Sequence, residues 1–255
     1  MGIFDNLKTD KTIKESGDVI MGKGPLASGL YTMAIEMAYV DKSKGGATSI
    51  NFKFKGPKGE MLRRTEYVTG GDKKGNKNYY EDKDKVKHYL PGFNMVNNLC
   101  LLAAGKELSE VDHEERTIKI YNYTEKKELP EKKMVLTGLL GKEVVLGVIK
   151  QTVDKKAKAD NGDYLPTGET RFENNISKVF RAKDSKTVTE LRAEVEEAAF
   201  VKEWDKTYTD TVVDATEGKK GIIPITKNTG TPGAIPQTNT PDAIVGGETD
   251  SIFND

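Results

Sequence analysis

The chain has 255 residues, 40 Lys or Arg against 40 Asp or Glu, a formal net charge of zero, one Cys and two His. A single cysteine rules out an intrachain disulfide, and these few ligands cannot assemble a structural Cys/His zinc site within one chain. No apolar run approaches the roughly 18 residues of a membrane helix, and Met1-Gly-Ile-Phe-Asp-Asn6 lacks the charged, apolar, small-residue order of a secretory leader, so a soluble protein with no membrane partner is expected.

Residues 1–24 are polar and end at the Gly22-Lys-Gly-Pro25 punctuation, which reads as an N-terminal arm. From Tyr31, the alternation of Tyr31, Met33, Ile35, Met37 and Tyr39 against Thr32, Ala34, Glu36 and Ala38 predicts a half-buried strand with those five on one face. Gly45-Gly46 turns the chain into the clearest strand, where Ile50, Phe52 and Phe54 alternate with Asn51, Lys53 and Lys55; Phe52 and Phe54 are assigned to the core. After Gly56-Pro-Lys-Gly59, a third strand over 61–69 puts Arg63, Thr65 and Tyr67 on one side. A long lysine-rich loop over 70–88 carries Tyr79-Tyr80, and a helix opened by Tyr89-Leu-Pro-Gly92 places Phe93, Val96, Cys100 and Ala103 on one face, which makes Cys100 a buried structural thiol.

Thr117 to Tyr123 reads as a strand with Ile118 and Ile120 opposed to Lys119, Tyr121 and Tyr123; Val144–Val153 and Arg171–Arg181 add two more. Thr187-Val-Thr-Glu190 has the form of a capping box, in which the Thr oxygen accepts from the third helical amide and the Glu reaches back to the cap. One helix is predicted from there to about Trp204. Beyond Tyr208 the composition shifts to Thr, Gly, Pro and Asn, with too little apolar mass to offset ordering entropy. The expected organisation is therefore an arm over 1–24, one mainly β domain over 25–208 built as an antiparallel barrel or sandwich with loop and helical insertions, and a flexible, disordered acidic tail over 209–255.

Zero net charge hides two poles. Residues 42–87 hold 13 Lys or Arg against 6 Asp or Glu, whereas residues 228–255 hold no basic residue and 4 acidic ones. That asymmetry points to a polyanion-binding body with an acidic interaction tail. Catalytic signatures are absent: there is no Gly-x-Ser-x-Gly, Walker loop, His-Glu-x-x-His or dinucleotide fingerprint, and Asp82 and Asp84 alternate with lysines as a solvated face does, so neither an enzyme nor a cofactor is expected. Binding of single-stranded nucleic acid needs cations that follow phosphates and exposed rings on which unstacked bases lie. Lys53, Lys55, Arg63, Tyr67, Lys119, Tyr121 and Tyr123 all fall opposite apolar faces, and Tyr79 and Tyr80 are placed to grip a strand from the loop.

The segments Gly29-Leu-Tyr31, Gly46-Ala-Thr-Ser-Ile-Asn-Phe-Lys-Phe54, Tyr67-Val-Thr69 and Tyr89-Leu-Pro-Gly-Phe93 with its helix resemble phage single-stranded DNA-binding proteins, notably those of N4-like phages, from about residue 25 to 180 and again in the tail. The resemblance implies an OB-fold with a DNA groove, a place in phage DNA replication and recombination in the host cytoplasm, and an acidic C-terminal tip that recruits replication, recombination or transcription proteins. Carried over, the tip is Asp250, Ile252, Phe253 and Asp255; bacterial counterparts end on the aromatic residue, whereas Asn254 and Asp255 follow Phe253 here. Rival expectations are a strand-annealing or recombination accessory factor and a virion or assembly protein.

Overall fold

Alternating apolar residues drive the first three strands into an antiparallel meander. β1 (Gly29–Lys42), β2 (Thr48–Lys55) and β3 (Met61–Tyr67) pair in that order, with Ile35 opposite Phe54 and Phe54 opposite Leu62 on the inward side. Ile50, Phe52 and Phe54 are all buried, as their spacing predicts, and Arg63, Thr65 and Tyr67 share the exposed side of β3. The computed structural model describes Thr12, residues 24–122, 124–159, 162 and 164–217, and the backbone of 221–224, all within one unit that runs Met1–Ile225.

β1 departs from the predicted alternation at one point. Its register on β2 shifts between Ile35 and Met37, making Glu36 the extra residue of a β-bulge. An inserted residue moves every later side chain to the opposite face. Met33 and Ile35 are buried before the bulge and Ala38 after it, so Met37 and Tyr39 leave the face on which strict alternation put them and Tyr39 joins the outer one.

The loop after β3 is shorter on irregularity than its composition implies. A 3-10 turn at Asp72–Lys74 is followed by a hairpin of β4 (Tyr79–Glu81) and β5 (Lys87–Tyr89). The Asp82 carboxylate closes that hairpin by accepting from the amides of Asp84 and Val86 and from His88 Nε2. α1 (Pro91–Ala104) then buries Val96, Leu99, Cys100 and Leu102 against the sheet, with Pro at its start and Gly105 in the left-handed conformation at its end.

β6 (Glu114–Asn122) and β7 (Lys127–Val135) form a ribbon that joins the sheet where Tyr39 pairs with Val135. β7 is absent from the sequence reading because Lys-Glu-Leu-Pro-Glu-Lys-Lys-Met offers almost no apolar alternation and Pro130 interrupts it. β8 (Glu143–Lys158) and β9 (Tyr164–Arg181) extend well beyond the predicted apolar runs, and their outer halves are exposed ribbon. β8 also pairs along the first half of β1, which gives the order β3-β2-β1-β8-β9.

Val144, Leu146 and Val148 of β8 face the main core between the sheet and α1, while Val145 and Ile149 face a second cluster with Phe180 and Trp204. The run is buried on both sides because a helix covers the outer one. In place of one helix to Trp204, the chain forms α2 (Val188–Arg192) and α3 (Phe200–Tyr208), with Glu194 between them at φ 51. The capping box is present at Thr187 and Glu190 as predicted. Glu190 also ends the first helix's independence: its other oxygen accepts from the amides of Ala199 and Phe200, capping α3 as well.

The sheet does not stop at Tyr208. β10 (Thr211–Asp214) pairs in parallel with β8 beyond the start of β1, and β11 (Gly221–Pro224) pairs with β10. The boundary drawn from composition at 208 is therefore moved to the far side of Pro224. Buried Ser28 joins these strands, donating to the Thr211 carbonyl and accepting from the Lys150 amide, both at 2.7 Å. Antiparallel pairing dominates a mainly β structure, as expected.

Candidate nucleic-acid interface

The outer face of β1, β2 and β3 is built in rows by strand register. Met37, Lys53 and Arg63 form one row and Tyr39, Asn51 and Thr65 the next, because residues paired across antiparallel strands share a face. Thr65 Oγ1 donates to Asn51 Oδ1 at 2.6 Å, which fixes the middle of the face. Tyr67 lies beyond, opposite Ser49, with 46% of its surface exposed, and Lys55 lies at the other end opposite Met61. The structure thus brings Lys53, Lys55, Arg63 and Tyr67 together.

Lys119 and Tyr121 are not part of that group. Pairing of Tyr39 with Val135 makes the Val135, Lys133, Glu131 side of β7 continuous with the outer face of β1. On β6 the matching residues are Glu114, Arg116, Ile118 and Ile120. Lys119 and Tyr121 project from the reverse side of the ribbon, beside Lys132 and its ion-pair partner Glu115 at 3.4 Å. The sequence correctly opposed them to Ile118 and Ile120, but in a ribbon attached by one end the apolar side is the one that meets the sheet's outer face.

Tyr79 and Tyr80, adjacent on β4, point to opposite sides of their hairpin. Tyr79 lies between Lys77 Nζ, 5.4 Å from its ring centre, and Lys87 Nζ at 5.1 Å, whereas Tyr80 stacks on His88 at 5.5 Å. Tyr89 pairs across from Tyr79 and packs on Phe93 at 5.1 Å. The hairpin follows directly from β3, tied by the Gly70 amide to the Lys77 carbonyl. Tyr123 lies outside the described residues, as do Asp250, Ile252, Phe253 and Asp255.

Charge on the outer face is mixed. Lys53 pairs with Glu36 at 2.8 Å, holding the Glu36 carboxyl below its ordinary range. Lys133 pairs with Asp41 at 2.8 Å and Glu131 at 3.2 Å, and the Asp41 hydrogen bond raises the lysine above its ordinary range. Among the described residues, Lys55 and Arg63 have no ion-pair partner.

Several contributors escaped sequence reasoning. Tyr39 arrives through the bulge, and Lys133 sits on the strand that was not predicted. On the β8–β9 ribbon, Tyr164 and Phe172 are 65% and 52% exposed, and Lys150 Nζ sits 4.4 Å over the Phe172 ring. A tyrosine or phenylalanine isolated in a polar run, as in Asp-Tyr-Leu-Pro or Arg-Phe-Glu, was the available signal for those two.

The groups suited to chemistry are engaged elsewhere. Burial pushes the Cys100 thiol up to about 12, so it is not a nucleophile. The Asp82 carboxylate is consumed by its own turn, His113 Nδ1 contacts the Val111 carbonyl at 2.9 Å, and no group of three or more metal-binding side chains occurs among the described residues. No helix among them is long and apolar enough to cross a membrane. No protein-family model and no curated protein matches the chain.

Proposed function

We propose that this chain is a non-enzymatic single-stranded DNA-binding protein of the phage type, with an OB-fold body and a tail that recruits partners. One observation carries the reading: Lys53, Lys55, Arg63 and Tyr67 stand together on the outer face of β2 and β3. In an OB-fold, the second and third strands form the surface on which oligonucleotides lie. The order β3-β2-β1-β8-β9, with α1 inserted between β3 and β8 in the chain, supports assigning those strands to the five of an OB barrel.

Bases stacked on Tyr67, and on the half-buried Tyr39 that the bulge turns to this face, would each contribute about 1–3 kcal/mol irrespective of sequence. Lys55 and Arg63 would neutralise phosphates, giving affinity that falls with salt by about 0.7 log unit per log unit for each phosphate. The tip residues Asp250, Ile252, Phe253 and Asp255 are proposed as the docking point for replication, recombination or transcription proteins. Strand annealing would be an added property of the same surface.

A second reading, a virion or assembly protein, draws support from the acids on this face, which tie up Lys53 and Lys133. An electrophoretic shift with labelled single-stranded and duplex DNA separates the two, using the full chain and a version ending at Pro224. Preference for the single strand, retained without the tail, is the expected result. Equal affinity for duplex, or no shift at low salt, overturns it in favour of the second reading. Addition of a complementary strand in the same assay reports annealing.

A further inference from the structure

The outer face places carboxylates directly against Lys53 and Lys133. Glu36 is the extra residue of the β1 bulge, so its position on the face is set by the irregularity itself. Its carboxylate meets Lys53 Nζ at 2.8 Å, with both side chains more than a third exposed. Lys133, only 19% exposed, is held from two strands, by Asp41 of β1 and Glu131 of its own β7. Each lysine is therefore presented to solvent with an acceptor already in the place a phosphate oxygen would take. Lys55 and Arg63 at the same face are not so occupied.

We propose that Glu36, Asp41 and Glu131 are built-in competitors of the polynucleotide, holding Lys53 and Lys133 until phosphates displace them and thereby limiting affinity. The inference rests on the DNA-binding reading and adds its regulation. A phosphate that takes Lys53 strands Glu36 beside a polyanion, so the gain from the new contact is offset by the loss of the old one and by repulsion between like charges. Such a surface favours a strand that delivers several phosphates at once over isolated anions. It also lets the protein release DNA without weakening every contact.

The test is a salt series of binding to labelled oligothymidylate by the full chain, by Glu36→Gln, and by the triple variant Glu36→Gln/Asp41→Asn/Glu131→Gln. A control of equal charge change, Glu194→Gln/Glu196→Gln/Glu203→Gln, lies on the exposed segment from α2 to α3. Freeing lysines should tighten binding and steepen the plot of log affinity against log salt by about 0.7 for each lysine, hence about 0.7 for the single and about 1.4 for the triple variant. Thermal melts of every variant confirm the fold, and the single substitution suffices if the triple one unfolds. Wild-type binding with unchanged affinity and slope in the variants overturns the inference and leaves the DNA reading standing. An equal gain in the control assigns the effect to overall charge and overturns it too. No binding by wild type or variants at low salt ends both.

Discussion

Gly147 of β8 and Trp204 of α3 meet without room for a side chain between them: a Cβ at position 147 would lie 2.8 Å from two carbons of the indole ring. The contact is fixed from both sides. Trp204 Nε1 donates to Ser177 Oγ at 3.0 Å, and Ser177 Oγ donates to the Gly147 carbonyl, while Phe180 packs edge-on to the ring. A rigid ring held in this way cannot give by a side-chain rotation. Gly147→Ala should therefore cost about 1–3 kcal/mol through overpacking. Trp204 is the only tryptophan, so its fluorescence reads this layer directly. The variant should show a red-shifted native emission and a lower urea midpoint, and a midpoint equal to wild type would contradict the packing.

Glu190 caps two helices with one carboxylate. One oxygen accepts from the Thr187 amide and hydroxyl at 2.8 and 2.9 Å, the other from the Ala199 and Phe200 amides at 2.8 and 2.9 Å. Burial alone would raise its pKa, but these donors prevail and hold it below the ordinary glutamate range. A carboxyl lowered on folding contributes stability that is complete above its unfolded value of about 4.3 and is lost as pH falls through the folded value. Glu190→Ala should cost roughly 1–3 kcal/mol at neutral pH, the sum of two caps. Its melting temperature should also depend less on pH below about 4 than that of wild type. Parallel pH profiles of wild type and variant would show that the carboxylate is not the source.

The features legible in the sequence are those whose cause is local. Ile50, Phe52 and Phe54 are buried because alternation along a strand needs no distant information, and Thr187 with Glu190 formed their box because its geometry spans one helical turn. What was missed is non-local. Nothing near Glu36 marks it as a bulge; that follows from how β1 must pair with β2 on one edge and with β8 and β7 on the other. Glu190 reaching Ala199 and Phe200 broke a helix that periodicity alone would continue. Strand β10 is held by β8 and Ser28, partners some 60 and 180 residues away, which composition past Tyr208 does not report. Of the site, Lys53, Lys55, Arg63 and Tyr67 were readable from period two, while the side of the ribbon that would carry Lys119 and Tyr121 depended on the single Tyr39–Val135 attachment.

Cys100 lies on α1 with none of its surface exposed, among Val96, Leu99 and the inward residues of the sheet. A thiol pushed up to about 12 is almost entirely protonated at neutral pH, and thiolate is the reacting species. A disulfide reagent such as dithionitrobenzoate should leave the native protein unmodified over the time in which denatured protein reacts fully. The native rate should rise with denaturant in step with unfolding. Rapid stoichiometric modification in native buffer would show that α1 opens independently of the core.

The two sides of the β6–β7 ribbon make opposite predictions for DNA. Arg63 and Tyr67 stand on the outer face with Lys53, whereas Lys119 and Tyr121 project from the reverse side of the ribbon. Arg63→Ala should weaken binding of single-stranded DNA and make the salt dependence shallower by about 0.7, since it removes one cation that forms no ion pair among the described residues. Tyr67→Ala should cost about 1–3 kcal/mol while leaving the salt slope unchanged, because stacking neutralises no phosphate. Lys119→Ala and Tyr121→Ala should leave both affinity and slope at the wild-type level. A reversal, with the ribbon variants losing affinity and the sheet variants keeping it, would move the DNA to the far side of the ribbon and away from β2 and β3.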